Sequence, residues 1–101
     1  MLREDGDIDA GAVARMVRGQ LGGIRSCYER ALRNHPTLSG RLDARFTIGV
    51  TGRITTIASR GLSEAPEVST CVNTRLRGLI FPTPQGGAVE FSFPFTFTPG
   101  G

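Results

Sequence analysis

The sequence predicts an α+β fold in the order α-β-β-α-β, a three-stranded antiparallel sheet with two helices packed on one face. Three observations predict it. Apolar residues recur at spacings of three and four in residues 10–35 and again after Pro66. They alternate with polar residues in 41–49 and 88–97. A turn, Val50-Thr51-Gly52-Arg53, separates two strand-like runs that read as a hairpin. The 101 residues suit one domain, and a hydrophobic fraction of 39% implies a small core.

Residues 1–9 read as a polar linker end. Asp9 is a good N-cap for the first helix, with Ile8 and Val13 placed as a hydrophobic staple. Val13, Val17, Leu21, Ile24, Tyr28, Ala31 and Leu32 form its apolar stripe; Arg15, Arg18, Arg25 and Arg33 fall opposite. Gly19, Gly22 and Gly23 weaken it and permit a bend or a close approach. The helix is expected to run to about His35, because Pro36 disfavours helical geometry in the residue before it. His35, at that end, suits a C-terminal capping role.

Leu42, Ala44, Phe46 and Ile48 share one side of the next stretch, which marks a half-buried strand. Ile54 to about Arg60 is β-branched-rich and makes the second strand. Pro66 fits the first position of the second helix, where its missing N–H costs nothing. Glu67 sits favourably in the first turn. Val68, Val72, Leu76 and Leu79 form the stripe, Cys71 flanks it, and Gly78 ends it. In the last strand Val89, Phe91, Phe93, Phe95 and Phe97 share one face, a core pattern whose outermost member, Phe97, is expected to lie too near the terminus to be covered. Domain 10–97 then leads into a tail, 98–101, expected to be disordered.

Pro94 constrains this strand. Proline cannot donate to a ladder, so within a regular strand its phase, shared with Ala88, Glu90, Ser92 and Thr96, should face an open edge. A partner strand could add along Ala88, Val89, Glu90, Phe91 and Ser92. The bland alternative is that Pro94 only blunts unwanted edge pairing.

Cys27 and Cys71 fall one in each helix. They admit a disulfide or two buried thiols, since free Cys packs as a small hydrophobe. The disulfide is the reading adopted, and it implies an oxidising compartment. A structural zinc site is disfavoured because His35 is the sole histidine. No cofactor is indicated.

The net charge is +3 with no lysine. Glu4, Asp5, Asp7 and Asp9 crowd the first nine residues, and from residue 10 onward eleven Arg face five acids. Such a surface could attract nucleic acid or anionic lipid. The aromatics, however, lie on the core phase rather than among the arginines, which favours a solvated helix face. No Ser-His-acid arrangement, spaced carboxylate pair or phosphate loop is present, so an enzyme is not expected. No run of eighteen apolar residues exists and the acidic N-terminus lacks a signal peptide. An exported domain would then be a fragment, with Met1 an expression start and the export signal or anchor upstream.

Four stretches carry a resemblance. They are Ile24-Arg25-Ser26-Cys27-Tyr28-Glu29-Arg30-Ala31-Leu32; Leu38-Ser39-Gly40-Arg41-Leu42 with Arg45-Phe46-Thr47-Ile48 and Gly52-Arg53-Ile54; Val68-Ser69-Thr70-Cys71-Val72 with Phe81-Pro82-Thr83-Pro84; and Val89-Glu90-Phe91-Ser92-Phe93-Pro94-Phe95. Together they resemble the AgmX/PglI-type C-terminal domain, a TonB-like domain of myxobacterial gliding-motility envelope proteins. The resemblance covers residues 10–97. It implies a periplasmic protein-protein interaction module, non-enzymatic, on a protein anchored upstream in the inner membrane. Its partner would be an outer-membrane or periplasmic segment that pairs with the last strand. Pro94 departs from that picture by limiting the length of pairing. Alternatives are a TonB-type energy transducer for outer-membrane transport and, in a different class, a small basic nucleic-acid-binding domain.

Overall fold

In the computed structural model, residues 2–3 and 7–99 are described. The elements are β1 Leu2–Arg3, α1 Ala10–Arg18, α2 Leu21–Ala31, β2 Gly40–Ile48, β3 Ile54–Arg60, α3 Pro66–Arg77 and β4 Val89–Phe97. Three long strands form the predicted antiparallel sheet in the order β4-β2-β3, and the two-residue β1 adds outside β4. Gly100 and Gly101, the end of the expected disordered tail, lie outside the described residues.

The first helix is two helices. Gly19 caps α1, its N–H donating to the Arg15 carbonyl at 3.0 Å, and Gln20 N–H tightens the turn onto Val17 at 2.9 Å. Three glycines within five residues weaken the helical state enough for the chain to turn there. Leu21, expected on the apolar stripe, sits at this corner and is 44% exposed. The second segment also stops early, at Ala31. Its last turn closes when His35 N–H donates to the Ala31 carbonyl at 2.9 Å. The other termini follow local chemistry. Asp9 accepts from Ala12 N–H at 3.1 Å, Pro66 and Glu67 open α3, and Gly78 caps it.

Register separates the two faces of the sheet. Phe46 lies opposite Ile57 on one side and Phe91 on the other, so these residues share the inner face. Arg45 lies opposite Ala58 and Ser92 on the outer face. The inner face carries the core: Leu42, Ala44, Phe46, Ile48, Val89 and Phe91 are buried with Val13, Val17, Ile24, Val68, Val72 and Leu76 of the helices. α2 crosses β4, where Tyr28 stacks on Phe97 with centroids 4.8 Å apart. Phe97 is therefore covered, contrary to expectation, because Tyr28 reaches over the strand end. α3 lies on β3, where Ser69 Oγ donates to the Ser59 carbonyl at 3.2 Å and Ser59 Oγ to Asn73 Oδ1 at 2.6 Å.

The hairpin turn is pinned to the α3–β4 connection. Phe81 N–H donates to the Gly52 carbonyl at 2.9 Å. Gly52 has φ of +85°, and a Cβ there would overlap the Phe81 carbonyl oxygen, so only glycine fits. The outer face has no covering layer among the described residues. Its Arg41–Asp43 pair at 2.7 Å and Arg45–Glu90 pair at 3.9 Å are surface contacts worth about 0–1 kcal/mol each.

Candidate functional site

Two features bring the sequence-predicted site residues into place: the outer edge of β4 and the Cys27–Cys71 contact. β2 pairs with β4 from Gly40–Phe97 to Ile48–Val89 without a register shift on the β4 side of Pro94, which lies opposite Asp43. A ladder continuous through proline requires the missing N–H to point away from β2. The Glu90, Ser92, Pro94 and Thr96 phase therefore directs its backbone groups to the outer edge. Of these, Ser92, Pro94 and Thr96 are exposed.

That edge is not free where the sequence places the partner. Leu2 lies opposite Glu90 and Arg3 opposite Val89, and Asp7 and Gln85 exchange backbone hydrogen bonds of 2.8 and 2.7 Å. The expected partner-binding stretch, Ala88, Val89, Glu90, Phe91 and Ser92, thus has β1 alongside Val89 and Glu90. A two-residue strand carries no periodicity, and the acids after it read as linker, so nothing in the sequence announces it. Among the described residues the edge is open from Ser92 to Phe97, further along the strand than expected. Beside it runs a shallow groove of about 240 Å³ lined by Leu21, Ile24, Arg25, Pro94, Phe95, Thr96 and Phe97. The exposed Leu21 lines this groove.

Cys27 and Cys71 are bonded, with Cα atoms 5.8 Å apart, and join α2 to α3. Along the same seam the Arg75 guanidinium lies against Gly23, in space that a Cβ there would take unless the arginine swung aside. At the other end the His35 imidazole reaches Glu67 at 3.3 Å. Gly23 thus serves a close approach, as one of its expected roles allowed. The His35 side chain ties α2 to α3 instead of capping a helix; its backbone N–H does the capping.

Tyr28 fastens the other side of α2. Its hydroxyl donates to the Leu38 carbonyl in the loop before β2. Burial pushes the phenol above its ordinary value of about 10. The neutral phenol therefore contributes stability that is fully present below pH 10 and is lost as the pH rises through the folded value. Tyr28→Phe leaves the carbonyl without that donor and is expected to cost about 1–3 kcal/mol at neutral pH. The variant should also show a flatter fall in stability above pH 10 than the native protein, read by urea unfolding at several alkaline pH values. Equal alkaline slopes would remove Tyr28 as the titrating group.

Among the described residues there is no group of three His, Cys, Asp or Glu placed to hold a metal ion. Among the described residues no helix is long and apolar enough to cross a membrane. Comparison with protein-family models, with curated proteins and with solved structures finds no match for this chain.

Proposed function

We propose that this domain is a non-enzymatic interaction module of the periplasm that takes an extended partner segment at the outer edge of β4. The observation that carries the proposal is the asymmetry of β4. It is paired along its whole length with β2, but among the described residues its other side is paired only at Val89 and Glu90. The segment from Ser92 to Thr96 offers outward N–H groups at Ser92 and Thr96 and outward carbonyls at all three positions of that phase. Pro94 removes one donor and leaves the rest. Main-chain bonds of this kind supply affinity, and alternate side chains supply selectivity. An added strand would place every second side chain in the groove against Leu21, Ile24 and Phe95. An apolar residue there, with an acid near Arg25, suits it.

The resemblance to the gliding-motility domains sets the context: a protein anchored in the inner membrane, with partners in the outer membrane or periplasm, passing motor force across the envelope. The disulfide supports an oxidising compartment. The test uses Ser92→Pro combined with Thr96→Pro in the full-length protein. Both positions share the phase of Pro94, so the β2 ladder survives and only outward donors are lost. The expected result is an unfolding midpoint close to that of the native domain and a loss of gliding motility. Native motility in cells carrying the doubly substituted, stably folded protein would defeat the proposal.

A further inference from the structure

The two sulfurs of the bridge stand in unequal surroundings. Cys27 belongs to the core and is 3% exposed. Cys71 is only partly buried. Arg30, three residues after Cys27 on α2, places Nη2 at 3.0 Å from Cys71 Sγ. Both cysteines border an open cleft of about 480 Å³ whose polar rim is Arg30, Asn34, Glu67 and Thr70. A guanidinium beside a sulfur favours thiolate over thiol, and apolar burial does the reverse. In the reduced protein the guanidinium would act on Cys71 and apolar burial on Cys27, so both favour thiolate at Cys71 over Cys27. Glu67 on the same rim, which also meets His35 at 3.3 Å, acts against the guanidinium. Cys71 is the more accessible sulfur and the one beside the guanidinium; Cys27 is neither.

We propose that Cys71 is the attacking thiolate when the bridge is made and Cys27 the resolving thiol, with a small-molecule disulfide of the glutathione kind as the donor. In the first step Cys71 Sγ attacks one donor sulfur. The Cys71–donor bond forms, the donor S–S bond breaks, and the second donor sulfur leaves with the electron pair. In the second step Cys27 gives up its proton and attacks Cys71 Sγ. The Cys27–Cys71 bond forms and the first donor sulfur leaves as thiolate. The protons of the two cysteines end on the two donor sulfurs, and two electrons have passed from the domain to the donor. Run backward, a reducing thiolate reaches Cys71 first and must expel Cys27 as a buried thiolate. Arg30 gives that departure no help, so the same asymmetry that speeds formation slows reduction. This inference does not depend on what β4 binds.

The test is competitive alkylation of the reduced domain with substoichiometric iodoacetamide at neutral pH, followed by peptide mass mapping. Cys71 is expected to be modified at least about tenfold faster than Cys27. In denaturant the ratio should fall toward parity. Arg30→Ala, at an exposed position, should lower the native ratio severalfold and shift the pH profile of Cys71 alkylation upward, while the Cys27 rate stays unchanged. Parity in the native domain, or preference for Cys27, overturns the proposed order. A ratio and profile untouched by Arg30→Ala overturn the role given to the guanidinium. Mapping the mixed disulfide formed with oxidised glutathione in the Cys27→Ser and Cys71→Ser variants gives a second readout. Faster capture by Cys71 is expected, and faster capture by Cys27 overturns the proposal.

Discussion

Replacing Cys71 by serine is expected to lower the stability of the domain by about 4 kcal/mol. The bridge closes a loop with a sequence separation of 44, which removes much of the freedom of the unfolded chain. The remaining contacts across the α2–α3 seam are weak substitutes. His35 and Glu67 are 31% and 50% exposed in their side chains, and pairs of that kind contribute about 0–1 kcal/mol. Small domains hold about 5–15 kcal/mol in all, so the loss brings this one near the threshold of folding. Urea unfolding with and without a reductant measures it. Native and Cys71→Ser proteins should differ strongly when oxidised and converge when both are reduced. A difference below about 1 kcal/mol would mean that the helices stay on the sheet without the staple. In a force-bearing role the same bond would stop α2 and α3 from peeling apart. Full stability together with full motility in Cys71→Ser would defeat that role.

Phe46→Ala is expected to cost about 3–5 kcal/mol, comparable with the loss of the bridge. The side chain is 1% exposed on β2, the strand that pairs with both β3 and β4, two residues before that strand ends. Its ring stands 5.8 Å from Phe81, 6.1 Å from Phe91 and 5.9 Å from Phe93. Truncation removes three ring contacts and leaves a cavity that β2, held by strands on both sides, cannot close by moving. Phe93→Ala is the informative comparison. Phe93 shares the cluster but is half-buried, so its loss should cost clearly less. Equal losses at the two positions, read from urea midpoints, would show that the sheet centre is looser than its geometry implies.

What could be read in advance follows from which forces are local. Alternation in 41–49 and 88–97 reflects a sheet with one covered face; the β2–β4 register is regular from end to end, and the β2–β3 register shifts once, between Thr47 and Ile48. Caps at Asp9, Pro66 and Gly78 depend on neighbours within one turn, so sequence alone located them. The break at Gly19 and Gln20 was harder. The apolar spacing runs straight through it, and only the summed weakness of three glycines argued for a bend. Leu21 was misassigned for the same reason. The covering of Phe97 by Tyr28 is a tertiary contact across 69 residues with no local trace. The pairing of Cys27 with Cys71 was open to inference from two helices and one cysteine in each. The unequal settings of the two sulfurs were not, because they depend on where Arg30 meets α3. The free stretch of β4 was half legible. Pro94 gave its direction, and β1 moved its position.

The proposed periplasmic function requires that this domain work oxidised, its helices stapled, outside the reducing interior of the cell. The most direct measurement is its thiol state in the native host. Cells are quenched in acid, free thiols are alkylated, and the domain is recovered for intact mass before and after reduction. No alkylation at Cys27 or Cys71 is expected before reduction, and two alkylated cysteines when label is added after it. Two alkylated cysteines before reduction would contradict the compartment, and with it the envelope function built on the edge of β4.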